Sequence, residues 1–179
     1  MGKLMPLQKS DTALQAATAT QQYLTFALGG EMFAIAILNV KEIIEYGSLT
    51  EIPMMPGFIR GVINLRGAVV PVIDLSSRFG GKATEVARRT CIVIVELIDD
   101  EGRHDIGVMV DAVSEVIDIA ASDIEAAPAF GARIRTDFIA GMGKVNGRFV
   151  IILAIDRVLS VEEMSVLTRL SDPETEAAA

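Results

Sequence analysis

Phe33-Ala-Ile-Ala-Ile37, followed by Val40-Lys-Glu-Ile-Ile44, recurs 73 residues later as Ile106-Gly-Val-Met-Val110, followed by Val113-Ser-Glu-Val-Ile117. A second block repeats in the same order. Phe58-Ile-Arg-Gly61, a turn at Arg66-Gly67 and an apolar run ending at Asp74 match Phe138-Ile-Ala-Gly141, a turn at Asn146-Gly147 and an apolar run ending at Asp156. The first part of this block is offset by 80, which places about seven extra residues in the second copy, around 120–136. Two copies are too few for a solenoid. Each copy holds about five apolar runs rich in Val and Ile, with 23–28, 32–37, 69–75, 91–98, 106–110 and 149–155 as examples. Gly29-Gly30 and Asn146-Gly147 supply the positive-φ residues that two-residue hairpin turns require. No long helix is available to carry parallel crossovers, so each copy has to close as a small antiparallel barrel. The expectation is a mainly all-β fold of two tandem five-stranded barrels with short helices and a C-terminal helix.

The boundaries follow from composition. Residues 1–20 carry no pattern able to bury a face and are expected to be a flexible tail, as is the acidic, Pro-broken stretch 171–179. Between them come a first barrel over 21–80, a linker over 81–89 with its charged residues, a second barrel over 90–160, and a helix over 161–170. Ser160-x-x-Glu163 is a capping box for that helix, with Met164, Leu167 and Leu170 on one face, and Ser122-x-x-Glu125 has the same spacing. Asn39 and Glu42 also stand at capping-box spacing, which makes Val40, Ile43 and Ile44 the inner face of one helical turn.

At 179 residues and 51% hydrophobic, the chain is long enough to bury a core, while its net charge of −8 disfavours a nucleic-acid partner. The longest strongly apolar stretch, 149–155, falls far short of the roughly 20 residues of a membrane span, and residues 1–11 lack a signal-peptide core. Cys91 is the only cysteine, so neither an internal disulfide nor a cysteine metal cage can form, and a reducing cytoplasm is the expected compartment. Catalytic machinery is hard to assemble from what remains. His104 is the only histidine and is expected in a solvated turn over 99–105. Gly141-x-Gly143-Lys144 imitates the end of a phosphate loop, but the first glycine of that motif would fall at Phe138 and the Ser/Thr at Val145, so a β-turn is expected there. Asp99-Asp100-Glu101 lacks the alternating spacing of a calcium loop. No cofactor, metal or catalytic residue is assigned.

Several polar and glycine positions interrupt the apolar runs. Arg66 lies at the tip of a hairpin, where a guanidinium projects from a rigid scaffold. Gly61 and Gly141 occupy equivalent places where close backbone approach or a bulge excludes a side chain. Met54 and Met55, between Pro53 and Pro56, form either an adaptable docking surface or a core plug.

The stretch Phe58-Ile-Arg-Gly-Val-Ile-Asn-Leu-Arg-Gly-Ala-Val-Val-Pro-Val-Ile-Asp-Leu75 resembles the signature of the CheW family, the coupling proteins of bacterial chemotaxis. Phe26-x-Leu-Gly, Ile37-Leu-Asn-Val-Lys-Glu-Ile43, Gly107-Val-Met-Val-Asp111, Ala127-Pro-Ala-Phe130 and Glu162-Glu-Met164 follow in family order, so the resemblance covers roughly 22–170. It implies two SH3-like barrels and a non-enzymatic adaptor bridging the cytoplasmic tips of methyl-accepting chemoreceptors to the regulatory domain of the histidine kinase CheA. It also implies a cytoplasmic protein recruited to receptor arrays. Receptor-binding positions map to Val40, Glu42, Gly61 and Arg66, and Phe130 maps to a kinase or ring contact. Cys91 stands where the family more often has a β-branched aliphatic residue. The alternative reading is a small-molecule-binding barrel or an enzyme-associated domain, which a bound ligand in an apolar cavity would favour.

Overall fold

The computed structural model describes residues 19–47, 49–100, 102–126, 136–159 and 163. Among these residues are eleven strands: β1 (Thr20–Leu28), β2 (Glu31–Ala36), β3 (Val40–Glu45), β4 (Ile59–Leu65), β5 (Ala68–Asp74), β6 (Cys91–Asp99), β7 (Gly102–Val110), β8 (Ala112–Ala120), β9 (Ile124–Glu125), β10 (Ile139–Val145) and β11 (Arg148–Leu153). The α-helix following β5, α1 (Leu75–Arg78), is a single turn. Asp74 caps its start, and Gly80, in the left-handed region at φ 84°, follows its C-cap.

The strands form two sheets. Sheet I has the order β3-β6-β7-β5-β4, and sheet II the order β8-β1-β2-β11-β10-β9. The repeat seen in the sequence equates β1 to β5 with β6, β7, β8, β10 and β11, and under that mapping the two orders are identical, with the two-residue β9 added to sheet II. Irregularities repeat as well: β4 is bulged between Ile59 and Gly61, and β10 between Ile139 and Gly141. Both barrels also contain one parallel pair, β5 with β7 and β11 with β2.

The barrels are not made from contiguous halves, which corrects the expected boundaries at 21–80 and 90–160. The hairpin β1-β2 leaves the first repeat to join sheet II, and β6-β7 leaves the second to join sheet I. The reason lies in burial. Leu24, Phe26, Leu28, Phe33 and Ile35 from the first hairpin pack with Val93, Val95, Ile106, Val108 and Val110 from the other in one shared core. Alternate residues of the same strands face elsewhere: Tyr23 and Ala34 join Ile119, Val150 and Ile152 within sheet II, while Ile92, Ile94 and Met109 join Val70 and Val72 within sheet I. Strands buried on both faces appear in sequence as unbroken apolar runs.

Three local expectations are also corrected. Val40–Glu45 is strand β3 and not a helical turn: it pairs antiparallel with β6, with a bulge between Val40 and Glu42, and its exposure alternates with Val40, Glu42 and Ile44 on the less exposed side. Ser122 and Glu125 do not form a capping box: Ala121–Asp123 is a 3₁₀ turn without a side-chain cap, and Glu125 pairs with Met142. Gly141 to Lys144 lies within β10, and His104 within β7 opposite Leu97, so neither is a turn. Phe130 and the helix expected over 161–170, apart from Glu163, lie outside the described residues. No helix among the described residues is long and apolar enough to cross a membrane.

Candidate functional site

The hairpin joining β4 to β5 has Leu65 and Ala68 as its closing pair, leaving Arg66 and Gly67 at its tip. Both have positive φ, 54° and 87°, the signature of a type I′ turn. Asn64 Oδ1 accepts from the Gly67 N–H at 2.8 Å and holds the turn. Position 66 is thereby fixed in a conformation that costs a residue bearing a Cβ about 1 kcal/mol or more. The matching hairpin between β10 and β11 fills this place with Asn146, at φ 51°, a residue that tolerates it well.

From this tip the Arg66 guanidinium donates through Nη2 to Glu42 Oε2 on β3. β3 and β4 are the two outer strands of sheet I, so the pair spans the seam along which the sheet closes into a barrel. Thr50, on the segment after β3, closes the seam lower down. Its N–H donates to Val62 and its carbonyl accepts from Val62, both at 2.9 Å. Gly61 makes this approach feasible. A Cβ there would lie 2.3 Å from the Thr50 oxygen, and its φ of 152° also favours glycine. Gly141 repeats the theme against Ile124 and Glu125 on β9.

Of the positions read from sequence, the structure thus brings Arg66 and Glu42 together and places half-buried Val40 on the same strand as Glu42. Gly61 shares β4 with the approach to the tip, but its contacts are with Thr50. Arg66 is largely exposed and Glu42 largely covered, and Glu42 Oε1 is buried without a donor among the described residues. Exposed Leu38 and Ile43 flank the pair in sequence. Met54, at φ 64°, is fully exposed while Met55 packs against the shared core, so the Met pair divides between the two roles considered for it.

Three features escaped the sequence reading. Lys41 donates to Asp105 at 2.9 Å and lies 3.4 Å from Glu96, which Arg103 also approaches. The Asp105 hydrogen bond, with Glu96 adding to it, holds the Lys41 ammonium above its ordinary pKa. Arg78 sits between the rings of Phe58 and Phe138, which are equivalent residues of the two repeats, with its guanidinium carbon 5.2 and 4.9 Å from their centroids. It also donates to the Val158 carbonyl and to Glu163. Finally, a groove of about 910 Å³ opens on sheet II, lined in part by Met32, Glu115, Ile117, Asn146 and Phe149. Glu115 and Asn146 are the repeat equivalents of Glu42 and Arg66, so the groove lies where sheet I carries its ion pair. The exposed Phe149 inside an apolar run was the available signal.

A seam-spanning ion pair on one barrel and an open groove with the exposed Phe149 on the other are the surface features of a binding module. The match of residues 22–163 to the CheW-like domain shows that the chain belongs to that family. It is 35% identical to "Chemotaxis protein CheW" of Klebsiella aerogenes over 158 residues, covering 88% of this chain and 93% of that protein. It is 35% identical to the Bacillus subtilis protein of the same name over 143 residues, 79% of this chain and 88% of that one. The crystal structure of scaffolding protein TtCheW from Thermoanaerobacter tengcongensis superposes with a TM-score of 0.72 at 36% identity, covering 80% of this chain and 90% of that chain.

Proposed function

We propose that this chain is a non-enzymatic chemotaxis adaptor that couples methyl-accepting chemoreceptors to the histidine kinase CheA, working in the cytoplasm at receptor arrays. Its receptor face is Val40, Glu42 and Arg66, with Gly61 shaping the barrel beneath them. The observation that carries this reading is the conformation of Arg66. An arginine is kept in a left-handed turn position where the equivalent repeat uses asparagine, and it reaches over the seam to a carboxylate whose other oxygen is covered and undonated. Local cost without local gain in stability marks a residue held for binding. An amphipathic receptor helix fits such a surface, with apolar residues against Val40 and a donor for Glu42. The open groove of sheet II provides the kinase regulatory domain with a separate face, so both partners bind at once, and the part given to Phe130 rests on the family resemblance alone.

Titration of Arg66→Asn with a receptor cytoplasmic fragment and, separately, with the kinase regulatory domain tests the assignment. Loss of a desolvated interfacial arginine typically costs about 2 kcal/mol, roughly thirtyfold in affinity. That loss is expected for the receptor alone. Unchanged receptor affinity would refute the assignment.

A further inference from the structure

The covalent join between the repeats carries far more chain than it needs. β5 ends at Asp74 and β6 begins at Cys91. Both ends lie at the same edge of sheet I with only β7 between them, a gap of two strand spacings or about 10 Å. The sixteen residues 75–90 bridge it, although that length of chain extends to about 54 Å.

A knot centred on Asp74 takes up the slack. Its carboxylate is fully buried and accepts from the N–H groups of Ser76 at 3.1 Å and Thr84 at 2.7 Å, and from the Thr84 hydroxyl at 2.7 Å. Ser76 Oγ donates to the Lys82 carbonyl at 2.6 Å, and the Gly81 N–H to the Ser76 carbonyl at 2.9 Å. Thr84 is the one buried residue in the otherwise exposed stretch 81–89. With the knot tied, only 85–90 remain to reach β6, about 20 Å when extended, and the turn closed between Ala87 and Thr90 shortens that further.

The two repeats meet through β1 with β8, β2 with β11, β3 with β6 and β5 with β7. None of these pairings depends on both repeats belonging to one chain. We propose that a second copy of this chain is a competing partner, each chain's first repeat assembling with the other's second, and that the Asp74–Thr84 knot keeps the assembly within one molecule. A globule of this length has a radius of gyration of about 16 Å, so a linker leaving for a neighbour must span that distance beyond the original gap. The tied linker falls short, and the released one has ample length. Exchange of identical elements is a low-cost route to dimers once the hinge allows it.

The test is refolding of the full chain from urea at a series of protein concentrations, up to the roughly millimolar effective concentration of a flexible tether. Products are sized by gel filtration with light scattering. Wild type is expected to return as monomer throughout. The Asp74→Asn/Thr84→Val variant is expected to give a dimer fraction that rises with concentration and exceeds wild type by at least about tenfold, as expected for loss of hydrogen bonds to a charged group. A second variant carries about ten Gly/Ser residues inserted after Arg88, which restores reach while leaving the knot and every strand intact. It is expected to dimerise as well, and it decides the question if the first variant does not regain its β spectrum. Folded monomer from the insertion variant at every concentration, or dimer from wild type as readily as from either variant, overturns the proposal.

Discussion

Replacing Gly61 by alanine separates the barrel seam from the binding surface above it. The new Cβ would meet the Thr50 carbonyl oxygen at 2.3 Å and its carbon at 2.9 Å, both backbone atoms, so no side chain can swing aside. The φ of 152° adds strain of about 1–3 kcal/mol for any residue other than glycine. Relief requires Thr50 to withdraw, which breaks its two 2.9 Å bonds to Val62, each worth about 0.5–1.5 kcal/mol net. Together these give a loss of about 2–6 kcal/mol, against a total stability of about 5–15 kcal/mol for a typical domain. With a urea slope near 2 kcal/mol per molar, the midpoint falls by about 1–3 M. Gly141→Ala is the control. Its φ lies outside the left-handed region, and its contacts, 2.6 Å to Ile124 Cγ2 and 3.1 Å to the Glu125 carbonyl oxygen, are longer than those of Gly61 and lie on the two-residue strand β9, so ordinary overpacking of about 1–3 kcal/mol is expected. Equal midpoints for the two variants in urea melts would refute the reasoning. Because the damage passes through folding, any receptor binding lost in Gly61→Ala should return with a stabilising osmolyte, whereas the loss in Arg66→Asn should not.

Arg66→Asn is expected to change stability by less than about 1 kcal/mol in the same melts, since relief of the left-handed position offsets the loss of Glu42's partner. Arg78→Met removes a mostly buried guanidinium from two aromatic rings and two acceptors and should cost about 2–4 kcal/mol, measured as a lowered thermal midpoint. Stability should be level through neutral pH and decline above about pH 10. Burial pushes the Tyr23 phenol above its usual 10.0, and the Asp105 hydrogen bond lifts Lys41 above 10.5, so the folded state keeps protons that the unfolded chain releases. Tyr23→Phe should flatten part of that decline in urea melts run across the alkaline range. Trypsin cleavage after the exposed Arg88 or Arg89 should leave both halves co-eluting under native conditions, because four strand pairs join them; separation of the halves would contradict the exchanged hairpins.

The repeat itself was legible because it preserves backbone necessities: the glycines at 61 and 141, the two-residue turns at 66–67 and 146–147, and the aspartates that end β5 and follow β11. The hairpin exchange was not, because a strand such as 91–98 is apolar on both faces and carries no mark of which partner covers either one. Val40-Lys-Glu-Ile-Ile44 has too few residues to separate a helical from an extended period, and with Glu42 on the covered side and Ile43 on the exposed one the strand's alternation does not appear in its hydrophobicity. Arg66 was visible as a turn-tip residue. Its contact with Glu42 was not, since it depends on the sheet curling until strands 24 residues apart in sequence face each other. Arg78 stood unremarked at the end of the first expected barrel, and its two aromatic neighbours come from opposite repeats.

Exchange of hairpins also explains how one small chain can hold its two barrels at a fixed angle. If each barrel were built from its own repeat, their relation would rest on the linker. Here the largest core draws Phe26 and Phe33 from sheet II and Val93 and Val108 from sheet I, and a row of rings through Phe26, Phe33, Phe79 and Phe138 runs through it at centroid spacings of 5.8 to 6.0 Å. Moving one barrel against the other would break interior packing and not merely a surface contact. On that rigid frame the repeat leaves two equivalent seams, and side-chain chemistry has made them different. Glu42 meets Arg66 on one, while Glu115 and Asn146 line an open groove on the other. A duplicated barrel presenting identical seams would offer two copies of one site; divergence at a single turn position, Arg66 against Asn146, is enough to close one seam with an ion pair and leave the other open.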